Sequence, residues 1–278
     1  MIIKSYSKIN LSLKVNSKSR SGLHEIQSLY CLINLNDKIK INKARQKKDT
    51  ISFKGPFAKF INNRNNSVIK TLKKLRELKL ISNFYSISVI KNVPVFSGLG
   101  GGTSNAAFIM KYFLKKKINN DLLNKFENSI GSDLKLFFKK QGFLKNLRLI
   151  KELKIKQKFY FVLIQPNTTC STKEIYSKVK KFSKKELFRE NLIKSKKQYL
   201  EYLSKSRNDL QFIVERKHPY LRKILIDIKN EKGCSFSRMT GSGSVCYGLF
   251  EDQIDAKKAL NKLKTKYTKF WISLAKTV

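Results

Sequence analysis

Carboxylates are scarce in this chain: 19 Asp and Glu stand against 60 Lys and Arg, a formal net charge of +41 over 278 residues. Histidine, with two residues, and cysteine, with four, are scarcer still. Cys31, Cys170, Cys234 and Cys246 lie far apart and form no C-x-x-C, which argues against a Cys/His zinc site. No run approaches the roughly 18 apolar residues of a membrane-spanning helix. Residues 1–6 lack the apolar stretch of a secretory signal. Scattered free thiols with neither feature predict a cytoplasmic protein. What is present is enough to fold. With 41% hydrophobic and 11% aromatic residues the chain can bury a sizeable core, and its length suggests two lobes.

The excess of positive charge attracts polyanions, so nucleic-acid binding is one function the composition raises. That reading expects basic residues gathered on one face and interleaved with aromatics. Lysine is instead spread along the whole chain, densest at 73–79 and 178–185 in stretches with the pattern of surface helices. The distribution favours a solvated basic surface.

Residues 8–15 alternate, with Ile9, Leu11, Leu13 and Val15 on one side and Lys8, Asn10, Ser12 and Lys14 on the other. This period of two predicts a half-buried strand on which Lys8 and Asn10 share a face, about 7 Å apart. After a turn at 20–22, strand-like runs follow at 26–35, 38–42, 50–53 and 84–91. Val68, Leu72, Leu75 and Leu78 recur at helical spacing. Helices are expected from Thr103 to about 116 and near 120–129. In the second half, 159–165 predicts a buried strand ending at Pro166. Helices follow near 172–181, 192–204 and 207–229, the last broken around Pro219. A strand–loop–strand spans 235–250, then a helix at 252–265 and a strand near 270–275. Strands and helices mixed without strict alternation predict an α+β fold, divided into lobes 1–157 and 158–278.

The most informative stretch is 92–108, NVPVFSGLGGGTSNAAF. Gly98, Gly100, Gly101 and Gly102 fall between a strand and a helix. Backbone N–H groups of such a loop and helix start converge on one point with the helix dipole behind them, a site suited to phosphate. Ser97, Thr103 and Ser104 add hydroxyls for a phosphate or a Mg²⁺-bound water. Other phosphate motifs fail by position: Thr103 breaks G-x-G-x-x-G, and no lysine follows the last glycine as a Walker loop requires. No H-R-D or D-F-G occurs. Elsewhere single residues are bland. Asp133, after Gly131 and Ser132, reads as a helix cap. Lys8 reads as one basic residue among sixty, His24 as a surface or cap histidine, and Gly241 and Gly243 as a hairpin turn.

Together and in this order the pieces resemble the GHMP kinase superfamily, which includes galactokinase, homoserine kinase and mevalonate kinase. Its central loop, P-x-x-x-G-L-G-[GS]-[GS]-S-[AS], is matched at 94–104 by PVFSGLGGGTS. Within it the similarity is to the branch acting on a cytidine-diphosphate-linked methylerythritol. The motifs A-K-I-N-L-x-L, G-Y-H-E and G-x-D-V-P-F-F of that branch are matched by SKINLSL at 7–13, GLHE at 22–25 and GSDLKLF at 131–137. NDL at 208–210 and SRMTGSG at 237–243 match as well, so the resemblance runs from about residue 5 to about 250.

The resemblance implies a two-lobed fold, the N-terminal lobe like domain 2 of a small-subunit ribosomal protein and the C-terminal lobe ferredoxin-like. It implies ATP- and Mg²⁺-dependent phosphorylation of the 2-hydroxyl of the methylerythritol unit, in the non-mevalonate route to isoprenoid precursors. Lys8 and Asp133 would be the catalytic pair. Asp133 would accept or orient the hydroxyl proton, while Lys8 would hold the carboxylate ionised and stabilise charge on the γ-phosphoryl. Pro94, Val95, Phe96, Ser97, Gly98, Leu99, Gly100, Gly101, Gly102, Thr103 and Ser104 would wrap the ATP phosphates. Asn10 would hold substrate hydroxyls, His24 would hydrogen-bond the cytosine, Tyr176 would stack on it, and Asn66 would lie near the adenine. No residue is singled out as a metal ligand. Three positions depart from the pattern: Leu23 stands for the usual Tyr, Lys135 for Pro (a cation added near the site) and Ser7 for Ala. The partners implied are the substrate and ATP, with no specific nucleic acid, no membrane, and a monomer or homodimer. Two other readings stay open: a GHMP kinase for another alcohol, of the homoserine or mevalonate type, and an RNA-binding protein using the ribosomal-type lobe.

Overall fold

The structure, a computed structural model, describes residues 2–20, 22–147, 149–154, 156–193 and 195–278. Ser21, in the expected turn at 20–22, and Lys194, in the expected helix at 192–204, lie outside the described residues. The chain forms two compact units that interleave in sequence, one of residues 1–8, 35–95 and 100–139, the other of 9–34, 96–99 and 140–278.

The chain opens with β1 (Ile2–Asn10), β2 (Lys14–Lys18) and β3 (His24–Lys43). The single alternating strand expected at 8–15 is thus two. The N–H groups of Leu11 and Ser12 both reach Leu29 O, at 2.7 and 3.2 Å, and this doubling interrupts the ladder. Nor is the polar face exposed: Lys8, Asn10 and Ser12 are all buried. β3 corrects a second expectation, since the runs at 26–35 and 38–42 belong to one strand. The polar Asn36–Asp37 step between them is no turn, because buried Asp37 pairs with buried Lys91 and accepts the N–H groups of Asn92 and Val93.

In the first unit, β4 (Thr50–Lys54) and β5 (Tyr85–Ile90) pair in parallel, and the far half of β3 pairs antiparallel with β5. Parallel neighbours need a crossover, supplied by α1 (Ser67–Glu77). Asn66 caps α1 by accepting the Val68 and Ile69 N–H groups at 3.1 Å each. Val68, Leu72 and Leu75 of α1 are buried, and α1 packs on α2 (Gly101–Leu114) and α3 (Asn120–Ile130).

In the second unit, β6 (Gln141–Asn146) and β7 (Leu149–Glu152) extend an antiparallel ladder from β2 and the near half of β3. β8 (Tyr160–Gln165) begins a separate sheet. Between it and the next strand lie α4 (Thr172–Ser177), α5 (Lys196–Lys205), α6 (Gln211–Lys217) and α7 (Tyr220–Lys229), the last two separated at Pro219 as expected. β9 (Cys234–Met239), β10 (Cys246–Phe250), α8 (Gln253–Lys266) and β11 (Trp271–Lys276) complete the chain. The sheet order β11-β8-β10-β9 is antiparallel throughout and is the 4-1-3-2 order of a ferredoxin-like split βαβ. α7 rests on β10 so closely that a side chain at Gly248 would stand 2.3 Å from Ile228. The fold is α+β, with two sheets among the described residues. Among the described residues no helix is long and apolar enough to cross a membrane.

Candidate active site

The glycine loop is held from both ends. In the first unit the Lys91–Asp37 ion pair and the two backbone N–H groups on Asp37 Oδ1, each at 2.8 Å, fix the chain just before Pro94 and Val95. At the far end Gly100 is the N-cap of α2, in the left-handed region with φ 71°, and no side chain caps the helix. Ser104 N closes the first turn on Gly100 O at 2.8 Å. The N–H groups of Gly101, Gly102 and Thr103 therefore project beyond the helix end. Gly102 is exposed and Thr103 half-buried, so this end is open to a ligand. Ser104 is buried, and its hydroxyl is engaged with β1, with Tyr6 O at 2.6 Å and Ser5 Oγ at 2.7 Å.

Gly100 also packs against Lys8, the candidate ammonium of this unit, and against Phe137. A Cβ there would stand 2.8 Å from the Phe137 ring and 3.3 Å from Lys8 Cε. Lys8 Nζ lies 3.2 Å from Asp133 Oδ2, with the Lys8 side chain 3% exposed and that of Asp133 32%. Asp133 heads the 3-10 turn Leu134–Phe138, but its side chain makes no capping hydrogen bond. The cap expected from the residue type is absent, and the carboxylate is turned to the ammonium instead. The cation is sealed in, while the carboxylate keeps a solvent-facing side that can take a proton from an incoming hydroxyl.

In the second unit, residues 96–99 lie against the loop between β9 and β10. Ser244 N donates to Phe96 O at 3.3 Å and Val245 N to Ser97 O at 3.2 Å; Leu99 is buried. Gly98, φ 75°, admits no side chain, because a Cβ would stand 2.1 Å from Thr240 O. Phe96 is a left-handed non-glycine, φ 51°, with its ring exposed. Asn208 holds the opposing loop through Met239 O and Gly241 O, both at 2.8 Å, which accounts for the NDL stretch.

The same unit carries the residues expected at a base. His24 and Tyr176 rings are 5.1 Å apart, tilted by 39°. Burial, then the Lys18 charge, lowers the His24 pKa from its ordinary 6.5, so the imidazole is neutral at pH 7 and offers one donor and one acceptor. Phe182 was not anticipated; its ring lies 6.3 Å from that of His24. It sits in an irregular stretch where no periodicity marks it. Leu23, in place of the usual Tyr, is 58% exposed. Asn10 is buried, its Nδ2 donating to Ser28 Oγ at 2.8 Å and its N–H to Thr240 Oγ1 at 3.0 Å. Asn66, expected near an adenine, spends its amide on the α1 cap and on Asn62 O. Lys135, expected as a cation added near the site, is turned to α3, where it meets Asn124 and Glu127.

Two family descriptions match the chain: the GHMP kinases N terminal domain over residues 66–134 and the GHMP kinases C terminal over 185–269. A 4-diphosphocytidyl-2-C-methyl-D-erythritol kinase of Pelagibacter ubique (strain HTCC1062) is 39% identical, covering 99% of this chain and 98% of its own length. The like-named protein of Wolbachia pipientis wMel is 30% identical, covering 97% and 96%. Among solved structures, a 4-(cytidine 5'-diphospho)-2C-methyl-D-erythritol kinase superposes with a TM-score of 0.74 at 22% identity, covering 99% of both chains. A homoserine kinase from Cytophaga hutchinsonii superposes at 0.66 with 16% identity, covering 100% of this chain and 94% of its own. With both halves matched and relatives of this identity spanning its whole length, the chain belongs to the GHMP kinases, in the family of 4-diphosphocytidyl-2-C-methyl-D-erythritol kinases.

Proposed function

We propose that this protein transfers the γ-phosphoryl group of ATP to the 2-hydroxyl of 4-diphosphocytidyl-2-C-methyl-D-erythritol, with Asp133 as base and Lys8 as its electrostatic partner. The observation that carries the reading is the Lys8–Asp133 pair at 3.2 Å, with Gly100, the cap of α2, packed on the lysine stem. The Asp133 carboxylate accepts the proton as the substrate oxygen bonds to γ-phosphorus and ADP leaves. The buried Lys8 ammonium offsets negative charge gathering on the transferred group. An uncapped helix end with an exposed glycine suits the triphosphate, and residues 94–104 are read as the loop that wraps it. Among the described residues no three Asp, Glu, His or Cys gather as a metal site. A Mg²⁺ would be carried by the ATP phosphates, with the Asp133 carboxylate and Thr103 hydroxyl the oxygens on offer, and would neutralise charge on the phosphates.

His24, as neutral imidazole, hydrogen-bonds the cytosine edge while Tyr176 stacks on its face, and Asn10 holds the erythritol hydroxyls. The lobes 1–157 and 158–278 are our reading of the sequence, with the family segments at 66–134 and 185–269 on either side of residue 157, whereas the compact units interleave and place 9–34, 96–99 and 140–157 in the second. We read the chain as cytoplasmic, monomeric or homodimeric, and without a specific nucleic-acid partner. ATP consumption across a panel of the cytidine-linked methylerythritol, homoserine and mevalonate tests the substrate. Turnover confined to homoserine or mevalonate would transfer the assignment to another branch. Asp133→Ala is expected to lower kcat by roughly 10²–10⁴-fold while nucleotide titration still shows ATP binding. Near-normal turnover removes the role.

A further inference from the structure

The 3-10 turn that begins at Asp133 is tethered at two points by lysine side chains. Lys135, 5% exposed, extends to α3, where its Nζ donates to Asn124 Oδ1 at 2.7 Å and pairs with Glu127 Oε2 at 3.2 Å. From α2, Lys111 Nζ donates to Phe137 O at 2.7 Å near the end of the turn. Between those tethers the Phe137 ring is pressed against Gly100. A 3-10 turn has poorer internal hydrogen bonds than an α-helix and does not by itself hold a side chain to a fraction of an ångström.

We propose that Lys135 is a positioning residue for Asp133: by anchoring the turn to Asn124 and Glu127 it sets the carboxylate beside Lys8. The proposal rests on the reading of Asp133 as the base. Two physical steps support it. An ammonium two residues from the base could compete with Lys8 for the carboxylate, and pairing with Glu127 takes that charge out of the competition. The cost of burying Lys135 is met by one carboxylate and one amide, and Glu127 carries part of it. Among the described residues its Oε1 is buried with no hydrogen-bond partner, and burial raises its pKa above the ordinary 4.5. A carboxylate kept at such a cost makes mechanical sense where a turn must be held still. Misplacing a reacting group by about 1 Å is enough to cost about 10²-fold in rate.

The test is a cycle of variants of the full chain, with kcat and both KM values read alongside thermal unfolding. Lys135→Met, which keeps an apolar stem, is expected to lower kcat roughly tenfold to a hundredfold with KM for ATP and for the acceptor little changed. Lys135→Arg, which can still reach Asn124 and Glu127, is expected to restore part of it. In an Asp133→Asn background the same Lys135→Met change is expected to leave the residual turnover where it was. Should Lys135→Met fold poorly, Asn124→Ala removes one acceptor from an exposed helix position and is expected to lower kcat in the same sense by a smaller factor. A wild-type kcat in Lys135→Met, or an equal loss of kcat in both backgrounds, overturns the positioning role and leaves the base assignment standing. A wild-type kcat in Asp133→Asn alone removes the base assignment, and the positioning role with it.

Discussion

Gly98 and Gly102 sit four residues apart and would receive a methyl group very differently. At Gly98 the new Cβ would meet Thr240 O at 2.1 Å on a backbone at φ 75°, so both the loop and its neighbour must move. At Gly102 the nearest atom is Ser67 Oγ at 3.5 Å, and the position is an exposed one in the first turn of α2. Gly98→Ala is therefore expected to cost about 2 kcal/mol of stability, read from urea midpoints. Gly102→Ala should keep or slightly raise stability, by under about 1 kcal/mol, since alanine is the better helix former. Its loss should instead appear as weaker ATP binding, because the methyl projects from the helix end where the phosphates come. Unchanged ATP affinity in Gly102→Ala would remove this helix end as the phosphate site. The same scale shows what a sequence can and cannot carry. Lys8 and Asp133 are 125 positions apart, and each by type reads as surface or cap; only their place in an ordered set of motifs joined them. The direction Lys135 takes was beyond reach, because it depends on how the turn presents the second residue after Asp133.

Between elements, the packing of α2 beside the Leu134–Phe138 turn leaves one titratable group under strain. Lys111 lies over the Phe108 and Phe138 rings, 4.4 and 5.2 Å from their centres, and burial lowers its pKa from 10.5 to about 8. Between pH 8 and 10.5 the unfolded chain keeps this proton and the folded chain does not, so this contribution makes stability rise with pH across that window. Below pH 8 the penalty is present in full. Lys111→Met removes the titration and also the bond to Phe137 O, so its own offset does not vary with pH. Urea unfolding at pH 7, 8, 9 and 10 is expected to show the wild type gaining on Lys111→Met step by step above pH 8. A constant difference would mean that the amine titrates normally. Elements themselves were unevenly legible. α1, β5, α6 and α7 follow from spacing and from Pro219 with little shift. β6 did not announce itself, because Gln141–Asn146 is buried over four successive residues and carries no alternation, and β7, four residues long, is too short to show a period. β3 looked broken because Asn36 and Asp37 resemble a turn, and the aspartate is satisfied within a strand by a lysine and two backbone N–H groups more than fifty residues away.

For the whole molecule the charge must be faced. If every one of the 19 carboxylates took one cation, 41 of the 60 would still lack a carboxylate of their own. The carboxylates are in fact shared: Glu174 accepts from both Lys178 and Lys217, at 2.9 and 2.6 Å, and its pKa falls to about 2. Such exposed pairs add little to stability. The surplus matters instead for what approaches, and here both substrates are polyanions. A net positive surface speeds their encounter, and salt shortens the reach of that field to about 10 Å at 0.1 M. Raising NaCl from roughly 0.05 to 0.5 M is expected to lower kcat/KM for ATP and for the cytidine-linked acceptor by about tenfold, almost entirely through KM, with kcat steady. RNA should inhibit at low salt through the same surface and be released near 0.2 M, since contacts limited to phosphates fade steeply with salt. RNA that stays bound at 0.2 M and is chosen by sequence would instead make the basic surface a recognition site. It would return the ribosomal resemblance of the N-terminal lobe from a matter of fold to a matter of function.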